Sequence, residues 1–127
     1  MLLSLAGLCH FKLGHYVEGE KLLVEFLRLF PYSAAHSFED RFQLINSHKV
    51  LGVIYREFGN GELSKFHEKT AVEYLLMQVQ HINSIDEELI RLPALLNMYR
   101  AYGLVREQVR ATKRLHQLLI EYDKYRF

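Results

Sequence analysis

Three glycines recur along this chain of 127 residues at a nearly constant spacing. Gly14, Gly59 and Gly103 lie 59 − 14 = 45 and 103 − 59 = 44 residues apart. Each follows a stretch of small and apolar residues that contains an aromatic residue or His, and each precedes a second amphipathic stretch. A fixed period in this range is typical of solenoids built from stacked helical hairpins. Because such a hairpin cannot bury its apolar face alone, this repeat constrains the fold more than any single motif does.

The stretches between these glycines have apolar residues at helical spacing, and none shows convincing strand alternation. The pattern predicts an all-α fold, an α-α superhelix or solenoid of about three helical hairpins. The hairpins are expected over about residues 1–33, 38–82 and 85–124, within a single domain that spans 1–127. Residues 32–37 are expected to link the first two hairpins, and residues 123–127 carry no structural signal.

Several local signals mark where the helices begin and end. Pro31 predicts the end of the second helix, because proline cannot donate to the helical ladder. Ser37 and Ser84 predict helix starts, the second with Glu87 as a capping box. Pro93 lies inside the third pattern, where it predicts either a kinked helix or two separate pieces.

Composition excludes several classes of protein. The net charge of +1 gives the whole chain no electrostatic attraction for nucleic acid. Cys9 is the single cysteine, so the chain has neither an intrachain disulfide nor a cysteine metal cluster, as in a reducing compartment. The apolar start resembles the core of a signal peptide, but no Lys or Arg precedes it and Lys12 interrupts it. We interpret it as the first repeat helix and expect a cytoplasmic protein without a membrane span.

The three phrases resemble the tetratricopeptide repeat (TPR), in its long-repeat variant as in the kinesin light chain and polarity adaptors. The positions that carry the resemblance are the small residues Gly7, Gly19 and Gly52, the aromatic residues Tyr55 and Tyr99, the three turn glycines, and Pro31. His10 and Leu96 depart from the pattern, and the period is longer than the family's roughly 34 residues. The resemblance implies a right-handed superhelix whose first helices line a concave groove that binds peptides or partner helices.

Projecting the resemblance onto this chain gives candidate groove residues. They are Leu8, Phe11, Lys12, Asn46, Lys49, Val53, Arg56, Asn97 and Arg100, with Ser4 projected onto the same face. The asparagines offer a donor and an acceptor to a peptide backbone, and the arginines offer a fork to carboxylates. We therefore expect an adaptor or scaffold without catalysis that binds an acidic or amphipathic segment of a protein.

An alternative function arises from the first helix, which is apolar from Met1 onward. Terminal repeats normally need a polar outer face for solubility. In this alternative, the chain is a structural segment of a larger helical solenoid, or a homo-oligomerisation domain. A partner or a second copy would cover this face.

Other chemistries find weaker support. None of the seven histidines pairs with another at the four-residue spacing of helical metal motifs, so neither a metal nor another cofactor is expected. No phosphate loop or catalytic constellation is present, which predicts a protein that is not an enzyme. Arg106, Arg110, Lys113 and Arg114 are spaced to share one face of the last helix. RNA binding there is the minority interpretation, against an ordinary solvated face.

Overall fold

The computed structural model describes residues 2–125, and within that range the chain is helical without any strand. The all-α prediction is therefore confirmed for these residues. The helices are α1 (Leu2–Lys12), α2 (Tyr16–Leu29), α3 (Phe38–Glu57), α4 (Gly61–Met77), α5 (Ile85–Ala101) and α6 (Val105–Tyr125). Short 3-10 turns follow α2 at Tyr32–Ala34 and α4 at Gln78–His81. None of the described helices is both long and apolar enough to cross a membrane.

The predicted helix starts are confirmed by their hydrogen bonds. The Ser37 hydroxyl accepts the backbone N–H of Asp40 at 3.0 Å, at the beginning of α3. The Ser84 hydroxyl accepts the N–H of Glu87 at 3.1 Å, at the beginning of α5. The Glu87 carboxylate in turn accepts the N–H of Asn83 at 2.8 Å. Each bond satisfies a donor that the first helical turn would otherwise leave without a partner.

Two helices differ from the sequence-based expectations. Of the two outcomes expected at Pro93, the split is wrong, because α5 continues through this residue as one helix. The last helix extends to Tyr125, although the segment from Asp123 showed no signal. Neither glycine nor proline occurs between Val105 and Tyr125, so nothing in that stretch stops a helix that has already begun.

The three turn glycines form equivalent corners between antiparallel helices. Gly14, Gly59 and Gly103 have φ angles of 81°, 79° and 70°, the left-handed region that glycine adopts without steric cost. In every corner the residue after the glycine donates its N–H to the carbonyl five residues back, at 2.8 Å in all three. The glycine itself donates to the carbonyl three residues back, at 3.0, 3.0 and 3.2 Å. This is the Schellman arrangement, repeated three times.

Small residues allow the two helices of the first and second hairpins to approach closely. A Cβ added to Gly7 would lie 2.7 Å from the Leu23 side chain, and one added to Gly19 would lie 3.2 Å from the carbonyl oxygen of Gly7. In the second hairpin, a Cβ on Gly52 would lie 3.3 Å from the carbonyl oxygen of Ser64. The Ser64 hydroxyl also donates to the Gly52 carbonyl at 2.7 Å. Gly7 and Gly52 each lie seven residues before the corner glycine of their hairpin, and Gly19 and Ser64 each lie five residues after it. The two hairpins therefore pack in the same way.

The chain forms two compact units, Met1–Leu76 and Met77–Phe127. In the first unit α1 and α2 pack together and α3 packs on both of them. Leu23, Leu51 and Ile54, all fully buried, form a core cluster there. In the second unit α5 packs along α6. The arrangement as one domain over residues 1–127 stays a prediction, as does the superhelix.

Candidate functional site

The candidate residues on α3 share one face of that helix. Asn46, Lys49, Val53 and Arg56 are spaced by three, four and three residues, which aligns them along a single stripe. Asn46 and Arg56 are exposed, whereas Lys49 and Val53 are half-buried. This stripe therefore offers an amide, an apolar side chain and two cations to the surroundings.

The candidate residues on α1 divide between the interior and the surface. Leu8 and Phe11 are half-buried because they pack against the cluster that joins α1, α2 and α3. Phe11 also stacks on Tyr16, with 5.5 Å between ring centroids. Lys12, one residue further on, is exposed. Much of the apolar surface expected to hold a partner thus stabilises the junction between the first hairpin and α3.

Ser4 is not part of an accessible face. The sequence projected it onto the groove, but the side chain is fully buried. Its hydroxyl donates to Oε1 of Gln43 on α3, at 3.0 Å. The expectation for Ser4 is therefore wrong, because the contact between α1 and α3 covers it.

Arg56 has a local partner in the second hairpin. Its guanidinium lies 3.6 Å from the carboxylate of Glu68 on α4, and the two side chains are 62% and 42% exposed. An ion pair in water of this kind contributes about 0–1 kcal/mol, because solvent screens it and both side chains lose freedom. A carboxylate from a partner can replace Glu68 at little cost in free energy.

Asn97 and Arg100 belong to the second unit, where both are exposed on α5. They follow Val53 and Arg56 by 44 residues, the spacing of the corner glycines. The cation of α3 therefore has a counterpart at the same repeat position of α5.

The basic residues of α6 do not act as one row. The Arg114 guanidinium forms two hydrogen bonds with the Glu88 carboxylate of α5, at 2.7 and 2.8 Å. These bonds hold the pKa of Glu88 below its ordinary value. Arg106, Arg110 and Lys113 are exposed. Arg114 is therefore paired within α5 and α6, whereas the other three cations of the predicted face are exposed.

A pair of histidines that sequence reasoning missed lies between α3 and α4. The Nδ1 atoms of His48 and His67 are 2.9 Å apart, and each residue is only 8% exposed. Tyr55 stacks on the His67 ring, and Tyr74 meets the His48 ring edge to face. Burial, and then the neighbouring His67, lower the pKa of His48 to about 4. Burial also lowers the pKa of His67, so both rings are neutral at neutral pH and one donates to the other.

A four-residue spacing does not predict this pair, because its members are 19 residues apart. The helical spacing of the neighbouring leucines could have predicted that His48 is buried. His48 lies four residues after Leu44 and three before Leu51, and both of these leucines are buried. That spacing assigns His48 to the core face of α3.

A second histidine pair lies at the first corner, where the Nδ1 atoms of His10 and His15 are 3.3 Å apart on the surface. Among residues 2–125, no three His, Cys, Asp or Glu side chains lie close enough together to hold a metal ion.

Comparisons of this chain with protein-family models, curated proteins and solved structures found no match.

Proposed function

We propose that this chain is a protein-interaction module that binds an acidic or amphipathic segment along the stripe of α3 that carries Asn46, Lys49, Val53 and Arg56. The observation that carries the proposal is the stripe on α3, where Asn46 and Arg56 are exposed and Val53 is half-buried between them. No reaction is proposed.

Each side chain of the stripe has a definite role in this proposal. Val53 supplies apolar contact, and Asn46 offers a donor and an acceptor to the partner's backbone. Arg56 exchanges its weak pairing with Glu68 for a carboxylate of the partner, and Lys12 adds a cation from α1. The partner is expected to carry acidic residues beside an apolar face.

The proposal is tested by measuring how charge reversal changes the binding of peptides. The probes are a fluorescent amphipathic helical peptide with a Glu-rich polar face and the same peptide with Lys at those positions. The Glu-rich peptide should bind the native chain, and the Arg56→Glu variant should weaken this binding by roughly tenfold, as expected when one charge-assisted contact becomes repulsive.

A matched control variant is Lys69→Glu. Lys69 is a 79% exposed side chain on α4, outside the candidate stripe, and it makes only a long ion pair with Glu73 at 4.0 Å. It should leave the affinity for the Glu-rich peptide nearly unchanged. Equal binding of both peptides by the native chain, or an equal loss in the Lys69→Glu control and the Arg56→Glu variant, would contradict the proposal.

A further inference from the structure

The outer face of α1 carries an apolar stripe that nothing in the first unit covers. Leu2 is 83% exposed and Leu5 is 49% exposed, and Cys9 on the next turn is also exposed. Their spacing of three and four residues places them on one side of the helix. The fully buried residues of α1, Ser4 and Gly7, lie on the opposite side.

The same repeat positions on α3 form a packed interface. Ser47, Val50 and Ile54 follow Leu2, Leu5 and Cys9 by 45 residues, the distance between the first two corner glycines. Ser47 and Ile54 are fully buried, and Val50 packs against the cluster that contains Leu23 of α2. An added Cβ on Gly19 of α2 would lie 3.7 Å from the Cδ1 atom of Ile54. This stripe of α3 is therefore the surface by which α3 lies on the first hairpin.

The first helix of the third hairpin, α5, also differs from α1 in the burial of these positions. The α5 residues 44 positions after the α3 stripe are Arg91, Ala94 and Met98, and all three are half-buried. Of the three helices that begin a hairpin, α1 is the one whose stripe faces solvent, although its stripe is the most apolar at these positions.

We propose that the outer stripe of α1, Leu2, Leu5 and Cys9, is a docking surface for the groove between the two helices of another helical hairpin. The occupant is an antiparallel pair of helices with an apolar groove between them. This groove resembles the one between α1 and α2, which contacts α3. Continuity with the α3 interface is the reason, since the same repeat positions already make this contact once within the chain.

The same stripe of a second copy is a poorer fit for this surface. Two α1 stripes in contact would place one helical ridge against another. The helix has 11 residues, so it is about 16 Å long. Such a contact buries far less than the roughly 800 Å² per partner of a stable interface. A groove between two helices would instead contact both sides of the α1 stripe, as α1 and α2 both contact α3.

The experiment adds such a hairpin to the intact chain. Residues 1–45 are placed directly before Met1, so that the added corner glycine precedes Gly14 by one period of 45 residues. The segment from Phe38 to Ile45 then extends α1 as it begins α3. The added copy carries Cys9→Ser, so that Cys9 of the original chain is the only thiol, and the rate of its alkylation measures how accessible the stripe is.

Docking should slow the alkylation of Cys9 by roughly tenfold or more relative to the native chain, because the reagent then reaches the thiol only through local opening. Leu5→Lys in the original chain should restore the fast rate. Leu29→Lys, at a side chain of equal exposure (49%) on α2, should not.

Alkylation of Cys9 in the extended chain at the native rate would overturn the proposal. So would an added hairpin that contributes no helical circular dichroism, since docking is expected to order it. Protection of Cys9 in the native chain that rises with protein concentration would assign the stripe to a second copy instead.

Discussion

Acidification should destabilise the first unit through the pair formed by His48 and His67. The two Nδ1 atoms are 2.9 Å apart, and each residue is only 8% exposed. Such a pair shares one proton between facing nitrogens, and a buried charge on either ring is poorly solvated. Both pKa values are accordingly lowered, that of His48 to about 4.

The sign and size of the effect follow from the pKa difference between the folded and unfolded states. The unfolded chain binds a proton at His48 near the ordinary pKa of 6.5, whereas the folded chain does so only at about 4. The stabilisation is therefore complete above pH 6.5 and is lost as the pH falls toward 4. At about 1.4 kcal/mol per pKa unit, His48 alone accounts for about 3 kcal/mol over that range. About 2 kcal/mol is already lost at about pH 5, and His67 acts in the same direction.

Urea unfolding at about pH 7.5 and pH 5, followed by the fluorescence of tyrosine, measures this loss. The chain has no Trp and eight Tyr, of which Tyr55 and Tyr74 contact the two histidine rings, so the signal follows unfolding of the chain and includes this region. The His48→Gln variant should be less sensitive to pH than the native chain. His36→Gln, in the exposed linker, should keep the native pH dependence. A free energy of unfolding that is constant between these pH values, or a His48→Gln variant with the full native dependence, would refute the reasoning.

Three further substitutions test the local structure by urea unfolding. Gly59→Ala should lower the free energy of unfolding by about 1–2 kcal/mol, because the φ angle of 79° disfavours a Cβ. Gly61→Ala, which has open space around it, should leave the free energy of unfolding unchanged. Equal effects of the two substitutions would exclude the backbone as the cause. Ser84→Ala should cost about 1 kcal/mol by removing the N-cap of α5, and Ser84→Asp should preserve the stability. Gly7→Ala should cost about 1–3 kcal/mol because its Cβ would lie 2.7 Å from the fully buried Leu23, and an unchanged midpoint would show that this crossing can relax.

Local signals in the sequence predicted the helices of this chain well. The three corner glycines, the caps at Ser37 and Ser84, and the end of α2 before Pro31 were all read from neighbouring residues. Each of these signals acts within about one turn of helix, because it satisfies a backbone donor or acceptor or sets one φ angle. The continuation of α6 to Tyr125 was missed, since the absence of a stop signal is not itself a signal.

The candidate site was predicted less completely. The stripe of α3, from Asn46 to Arg56, follows from helical spacing alone, and the structure leaves its ends exposed. Ser4 was misplaced because the side chain that covers it, Gln43, is 39 residues away. The pairing of Arg114 was not predicted for the same reason, since its partner Glu88 lies 26 residues earlier.

The sequence by itself determined the three hairpins, their corners and the faces that each helix could present, because these depend on backbone geometry and on side chains within a few residues. Only the tertiary structure decided which of those faces are used. It buries the His48 and His67 pair between α3 and α4, covers the stripe that includes Ile54 with the first hairpin, and leaves the equivalent stripe of α1 in solvent. These outcomes depend on packing between residues distant in the chain, for which a single sequence contains no local signal.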